Sequence, residues 1–159
     1  MKLLLLSLFS FLLLSLLSLT VNSLQWVVQP SNSFTYAVCD ALENTFKLEH
    51  ITLSPNPPRK NQNLNINMKG NLNEKIDFGT TISIKIHYTF FKVYDKTLDL
   101  CSELEKHSDS IKCPIEKGIQ DIKYIAQISK EMLNGKYKIS VKINQKNTKV
   151  FCINMKLQI

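Results

Sequence analysis

Four cysteines carry most of the chemical potential in this 159-residue sequence: Cys39, Cys101, Cys113 and Cys152. Two of them bracket a charged, serine-containing stretch, Leu98–Gly118, "LDLCSELEKHSDSIKCPIEKG". Thiols in such a place can ligate a metal, exchange disulfides or cross-link the chain. A metal site needs close Cys-x-x-Cys or Cys/His spacing, which is absent; His107 falls between Cys101 and Cys113 without a partner pattern. A redox Cys-x-x-Cys is absent too. An even cysteine count in an oxidising compartment points to disulfides instead. Four cysteines allow three pairings. The economical one closes a short loop with Cys101–Cys113 and ties distant segments with Cys39–Cys152.

Catalytic constellations are sparse. The sequence holds no Gly-x-Ser-x-Gly, no His-Glu-x-x-His and no glycine-rich phosphate loop. The histidines are His50, His87 and His107. His87 alternates with apolar residues, which places it on a solvated strand face. His107-Ser108-Asp109 has the residue types of a hydrolase triad, but adjacent side chains in a loop do not converge as a triad requires. The expectation is a protein that is not an enzyme and needs neither metal nor cofactor.

The compartment is set at the other end. Met1–Val21 is one lysine followed by a long leucine-rich run, and Val21 and Ser23 are small enough for a signal-peptidase site. Residues 1–23 therefore read as a secretory signal peptide cut after Ser23. An uncleaved anchor is the alternative, because the run nearly reaches bilayer-spanning length. The remainder, 24–159, is about 136 residues, the size of one domain. Removing Lys2 from the formal +7 leaves +6. Excess lysine fits an anionic membrane surface or mere solubility; with a single arginine, Arg59, and no aromatic-interleaved basic patch, nucleic acid is not an expected partner.

The elements that hold these residues are strands. Apolar residues recur every second position in Leu64–Met68, Thr81–Phe90, Asp121–Ile128, Lys136–Ile143 and Phe151–Ile159, and Phe46–Leu53 is a less regular β segment. Thr81–Leu100 reads as one long strand. Ser54-Pro55-Asn56-Pro57-Pro58 must be a loop, and Leu100–His107 is at most a helical turn. Six or seven strands, each apolar on one face, predict an all-β, two-sheet β-sandwich.

Three segments go further. "LSPNPPRKNQNLNINMKG" at Leu53–Gly70, "KTLDLC" at Lys96–Cys101 and "CPIEKG" at Cys113–Gly118, with "FCINMKLQI" at Phe151–Ile159, resemble the ML family of MD-2-related lipid-recognition domains. They are most similar to its phosphatidylglycerol/phosphatidylinositol transfer branch, itself related to the Niemann-Pick C2 sterol carriers. The resemblance covers about Cys39–Ile159. It implies an immunoglobulin-like sandwich with an apolar cavity between the sheets, and disulfides Cys39–Cys152 and Cys101–Cys113, the economical pairing. The sterol carriers usually have a third disulfide near the proline-rich loop; no cysteine stands there, which favours the phospholipid branch.

The same resemblance implies a shuttle that lifts a lipid from one membrane and releases it at another. The expected cavity lining is the inward set Ile84, Ile86, Tyr88, Phe90, Ile122, Tyr124, Val141, Ile143, Phe151 and Ile153. Lys92, Lys96 and Lys123 are the expected portal residues for an anionic headgroup. The partners would be a phospholipid or sterol and, transiently, a membrane surface, bound by a monomer in the secretory pathway, outside the cell or in a lysosome-like compartment. The alternatives are a sterol carrier, a presenter that hands lipid to a receptor or hydrolase, and a secreted β-sandwich that binds another protein and no lipid.

Overall fold

A computed structural model describes residues 27–28, 33–146 and 148–159. The predicted signal peptide lies outside the described residues. Among the described residues, nine strands and one helix follow in order: β1 (Val27–Val28), β2 (Phe34–Val38), β3 (Phe46–Ser54), β4 (Gln62–Leu72), β5 (Thr81–Tyr88), β6 (Phe91–Asp99), α1 (Leu100–His107), β7 (Gly118–Ile128), β8 (Lys136–Gln145) and β9 (Thr148–Gln158).

The strands form two antiparallel sheets, one ordered β1-β2-β9-β8-β5-β6 and the other β3-β4-β7. The alternation seen in the sequence is the alternation of burial. Along β7, Ile122, Tyr124, Ala126 and Ile128 turn inward, and the residues between them face solvent. The sandwich and both disulfides, Cys39–Cys152 and Cys101–Cys113, match the expectation.

Two elements differ from it. The long strand expected over Thr81–Leu100 is a hairpin: Tyr88 pairs with Phe91, and Thr89-Phe90 forms the turn. Thr89 takes φ 52°, a conformation that β-branched residues rarely adopt, so the usual glycine or asparagine turn signal is missing. Leu100–His107 is a full α-helix. The Asp99 carboxylate caps it by accepting from the Ser102 amide at 2.8 Å. Leu100 and Leu104 anchor it in the core, and the Cys101–Cys113 bond ties its first turn to the loop before β7.

The core is unevenly distributed. Phe34, Phe151, Ile153 and Leu157 on β2 and β9 are almost fully buried against Phe46, Ile51 and Leu53 of β3. Phe46 meets Phe151 edge-on at 5.2 Å between ring centroids. Ile76, Ile111 and Ile115 extend the core together with Leu100 and Leu104 of the helix. Gly70 makes the close approach of β3 and β4 possible: a Cβ there would stand 2.4 Å from the Lys47 carbonyl oxygen.

Candidate functional site

The uneven core leaves an opening. β5 and β8 are interior strands of the six-stranded sheet, paired on both sides, yet apart from Tyr137 their inward residues are only partly buried. The register sets them in rows: Ile82 beside Ile143, Ile84 beside Val141, and Ile86 beside Ile139. Opposite lie the inward residues of the second sheet, Ile66 and Met68 on β4 and Ile122, Tyr124 and Ala126 on β7, also only partly buried. An interior strand with an unfilled inner face is unusual in a packed sandwich, where facing side chains normally interlock. Here the sheets approach at β3 and β9, and burial is less complete along β5, β7 and β8.

The edge strands beside this region are β6 and β7. Their inward aromatic residues, Tyr94 and Tyr124, lie near one another, with Glu103 of α1 beside them. The Tyr124 phenol is pushed up first by burial, then by the negative charge of Glu103 and by Tyr94, so it stays neutral at physiological pH. The Tyr124 ring also stacks obliquely on His107, with centroids 5.3 Å apart. Glu103 accepts a hydrogen bond from Lys106 at 3.2 Å and lies 3.8 Å from His107. The rim is thus apolar in body and polar at its tips, an arrangement suited to a ligand with a greasy part and a polar head.

The structure distributes the expected lining residues among three settings. Ile84, Ile86, Tyr88, Ile122, Tyr124, Val141 and Ile143 face the space between the sheets. Phe151 and Ile153 also point inward but are buried in the sealed core, 3% and 2% exposed. Phe90 belongs to the hairpin turn instead of a strand and is 95% exposed, so it lines nothing between the sheets.

The three portal lysines separate as well. Lys96 pairs with Ile84 across β5 and β6, so it lies on the inward face at the sheet edge. Its ammonium sits 5.8 Å from the Tyr94 ring centroid, placing a positive charge at the mouth. Lys92 pairs across with the outward His87 and is bonded to Asp95 at 2.8 Å. Lys123 occupies an exposed, outward position on β7, and only its backbone amide is engaged, by Ser110 Oγ at 2.9 Å. Sequence reasoning missed Tyr94 and Glu103 at the rim. Tyr94 shares the parity of Lys96 and was legible once β6 was a separate strand; Glu103 reaches the rim only because α1 folds back along β7. Among the described residues, no three His, Cys, Asp or Glu side chains converge as metal ligands.

The sequence pattern that defines the ML domain matches residues 33–159. A phosphatidylglycerol/phosphatidylinositol transfer protein of Kluyveromyces lactis is 35% identical over 103 residues, 64% of this chain and 60% of that protein. One from Aspergillus fumigatus is 30% identical over 128 residues, covering 80% of this chain and 71% of the relative. This chain thus matches less than two thirds of the length of the Kluyveromyces protein. Among solved structures, chicken MD-1 complexed with lipid IVa superimposes with a TM-score of 0.61 at 17% identity, covering 84% of this chain and 95% of that one. A Niemann-Pick type C2 protein from the Japanese carpenter ant gives 0.59 at 16% identity, covering 78% and 98%. The match across nearly the whole described sandwich establishes that this chain belongs to the ML-domain family.

Proposed function

We propose that this chain is a secreted lipid carrier that holds the acyl chains of a phospholipid between its sheets and moves it between membranes. The observation that carries this reading is the incompletely buried inner face of β5 and β8, an apolar surface that protein side chains do not cover fully. Each methylene transferred from water to such a surface gains about 0.8 kcal/mol, so a lipid chain supplies the missing packing. The names of the relatives favour phosphatidylglycerol or phosphatidylinositol as cargo. Lys96 meets the anionic headgroup at the mouth, and Tyr94 and Tyr124 turn their hydroxyls toward it. Uptake and release are non-covalent, and no residue has a catalytic task.

In this reading residues 1–23 direct export and are removed, and 24–159 act as a monomer in the secretory pathway or beyond it. The absence of an asparagine-linked glycosylation sequon leaves the surface free of that modification. Native mass spectrometry of the secreted protein, followed by extraction of any bound lipid, tests the proposal. A stoichiometric phospholipid supports it, and vesicle-to-vesicle transfer is then expected. A stoichiometric sterol would replace phospholipid as the cargo. A protein that leaves the cell empty, and stays empty after incubation with mixed-lipid vesicles, overturns the reading.

A further inference from the structure

At one end of the sandwich three large apolar side chains stand in solvent. Phe90 and Phe91 at the β5–β6 turn are 95% and 71% exposed, and Leu133 in the loop between β7 and β8 is 58% exposed. They belong to one surface because the turn and the loop are bound together. Tyr88 Oη donates to the Asn134 carbonyl at 3.1 Å, and the Thr89 amide donates to the Lys136 carbonyl at 3.3 Å. Tyr137 Oη donates to the Leu133 carbonyl at 2.9 Å. The tip is therefore braced, so its aromatic rings are presented on a fixed support.

Beside this tip, the outward face of the six-stranded sheet is basic. A recess of about 230 Å³ has three lysines, Lys136, Lys138 and Lys156, in its lining with Tyr137 and Leu157, and no carboxylate lines it. The register continues the positive row: Lys156 pairs with Lys138, Lys138 with His87, and His87 with Lys92. Asp95 on β6 is bound to Lys92, and Glu131 in the loop between β7 and β8 accepts from the Ser129 hydroxyl. Exposed aromatic rings next to clustered lysines match the interface of an anionic bilayer, where rings sit at headgroup level and lysines meet phosphates.

We propose that the Phe90–Phe91 hairpin, with Leu133, is the element that docks this protein on an anionic phospholipid bilayer. The proposal rests on the lipid-carrier reading but concerns a different surface. Its geometry explains how the mouth is presented: Phe91 begins β6, the strand that carries Tyr94 and Lys96 at the rim. A bilayer that receives the hairpin therefore meets the end of the same edge strand that carries these rim residues.

The test uses the secreted, disulfide-bonded protein and two sets of vesicles, pure phosphatidylcholine and phosphatidylcholine mixed with phosphatidylglycerol. Sedimentation measures partitioning, and uptake of a soluble short-chain fluorescent phospholipid, without vesicles, measures the internal site. The Phe90→Ser/Phe91→Ser variant should partition onto the mixed vesicles at least about tenfold more weakly, as expected for losing the burial of two rings. It should take up the short-chain lipid within about twofold of wild type, because Phe90 stands in the turn and Phe91, paired with Tyr88 at the very end of the sheet, is 71% exposed. Lys136→Gln/Lys138→Gln should weaken binding to the mixed vesicles and leave the weak binding to pure phosphatidylcholine unchanged, with the difference vanishing at high salt. Unchanged partitioning of the phenylalanine variant overturns the docking proposal, as does a wild-type protein that ignores both vesicle types, which would hand the tip to a protein partner. Loss of short-chain uptake by wild type sinks the carrier reading instead and leaves the partitioning result to stand on its own.

Discussion

The two disulfides make a quantitative prediction, because they close very different loops. Cys101 and Cys113 are 12 positions apart and Cys39 and Cys152 are 113 apart. In the chain-entropy description a cross-link stabilises by restricting the unfolded chain, and the effect grows with the logarithm of loop length. Those separations give about 2.8 kcal/mol for the short loop and about 4.8 kcal/mol for the long one at 25 °C. The perturbation is pairwise replacement by alanine, which avoids burying a hydroxyl at Cys101 and Cys152, both buried. Urea unfolding with linear extrapolation provides the assay. The Cys39→Ala/Cys152→Ala variant should lose about 2 kcal/mol more than Cys101→Ala/Cys113→Ala, a large share of a typical total of about 5–15 kcal/mol. The short-loop variant should stay folded but, on the carrier reading, release a loaded phospholipid faster, because α1 and its Glu103 and His107 side chains at the rim lose their tether. Equal losses, or the reverse order, would refute the entropy argument and place the stabilisation in folded-state contacts around Cys101.

Further outcomes are expected elsewhere. Gly70→Ala should destabilise the protein by about 1–3 kcal/mol, seen as a lower urea midpoint, since its Cβ would press on the Lys47 carbonyl at 2.4 Å and on the Phe46 ring at 2.7 Å. Ile84→Trp should fill the inter-sheet space and cut phospholipid loading about tenfold by excluding roughly two methylenes, while the urea midpoint moves little. Acid should destabilise the fold. Asp40 is held below its ordinary value chiefly by the Lys149 hydrogen bond, Asp95 by Lys92 and Asp99 by the amide it caps. Groups lowered in the folded state contribute stability that is present above the ordinary carboxylate range and lost as pH falls through their folded values. Thermal midpoints should therefore hold down to about pH 4 and fall below it.

The strand faces were legible because one sheet face is buried and the other wet, so alternation records burial directly. Lys123 lies between Ile122 and Tyr124, and that parity alone already places it outward. The hairpin at Thr89-Phe90 was not legible: neither residue announces a left-handed backbone, and an apolar phenylalanine in the turn extends the alternation past the point where the strand ends. Nor could the period separate Phe151 and Ile153, sealed in the core, from Ile84 and Val141, which face the gap. All four alternate in the same way. What separates them is the distance between the sheets, a property of how β3 packs on β9 that no single strand encodes.

Strand order also has a consequence for biosynthesis. β2 pairs with β9, so residues 34–38 cannot join a completed sheet until residues 148–158 have left the ribosome. Cys39 emerges 113 positions ahead of its partner, and both cysteines of the short loop appear in between. During translation the thiol of Cys39 is therefore exposed to two competing thiols before the correct one exists. Rapid closure of Cys101–Cys113, favoured by their proximity in the chain, removes both competitors. Closed in that order, the short loop would leave Cys39 available for Cys152.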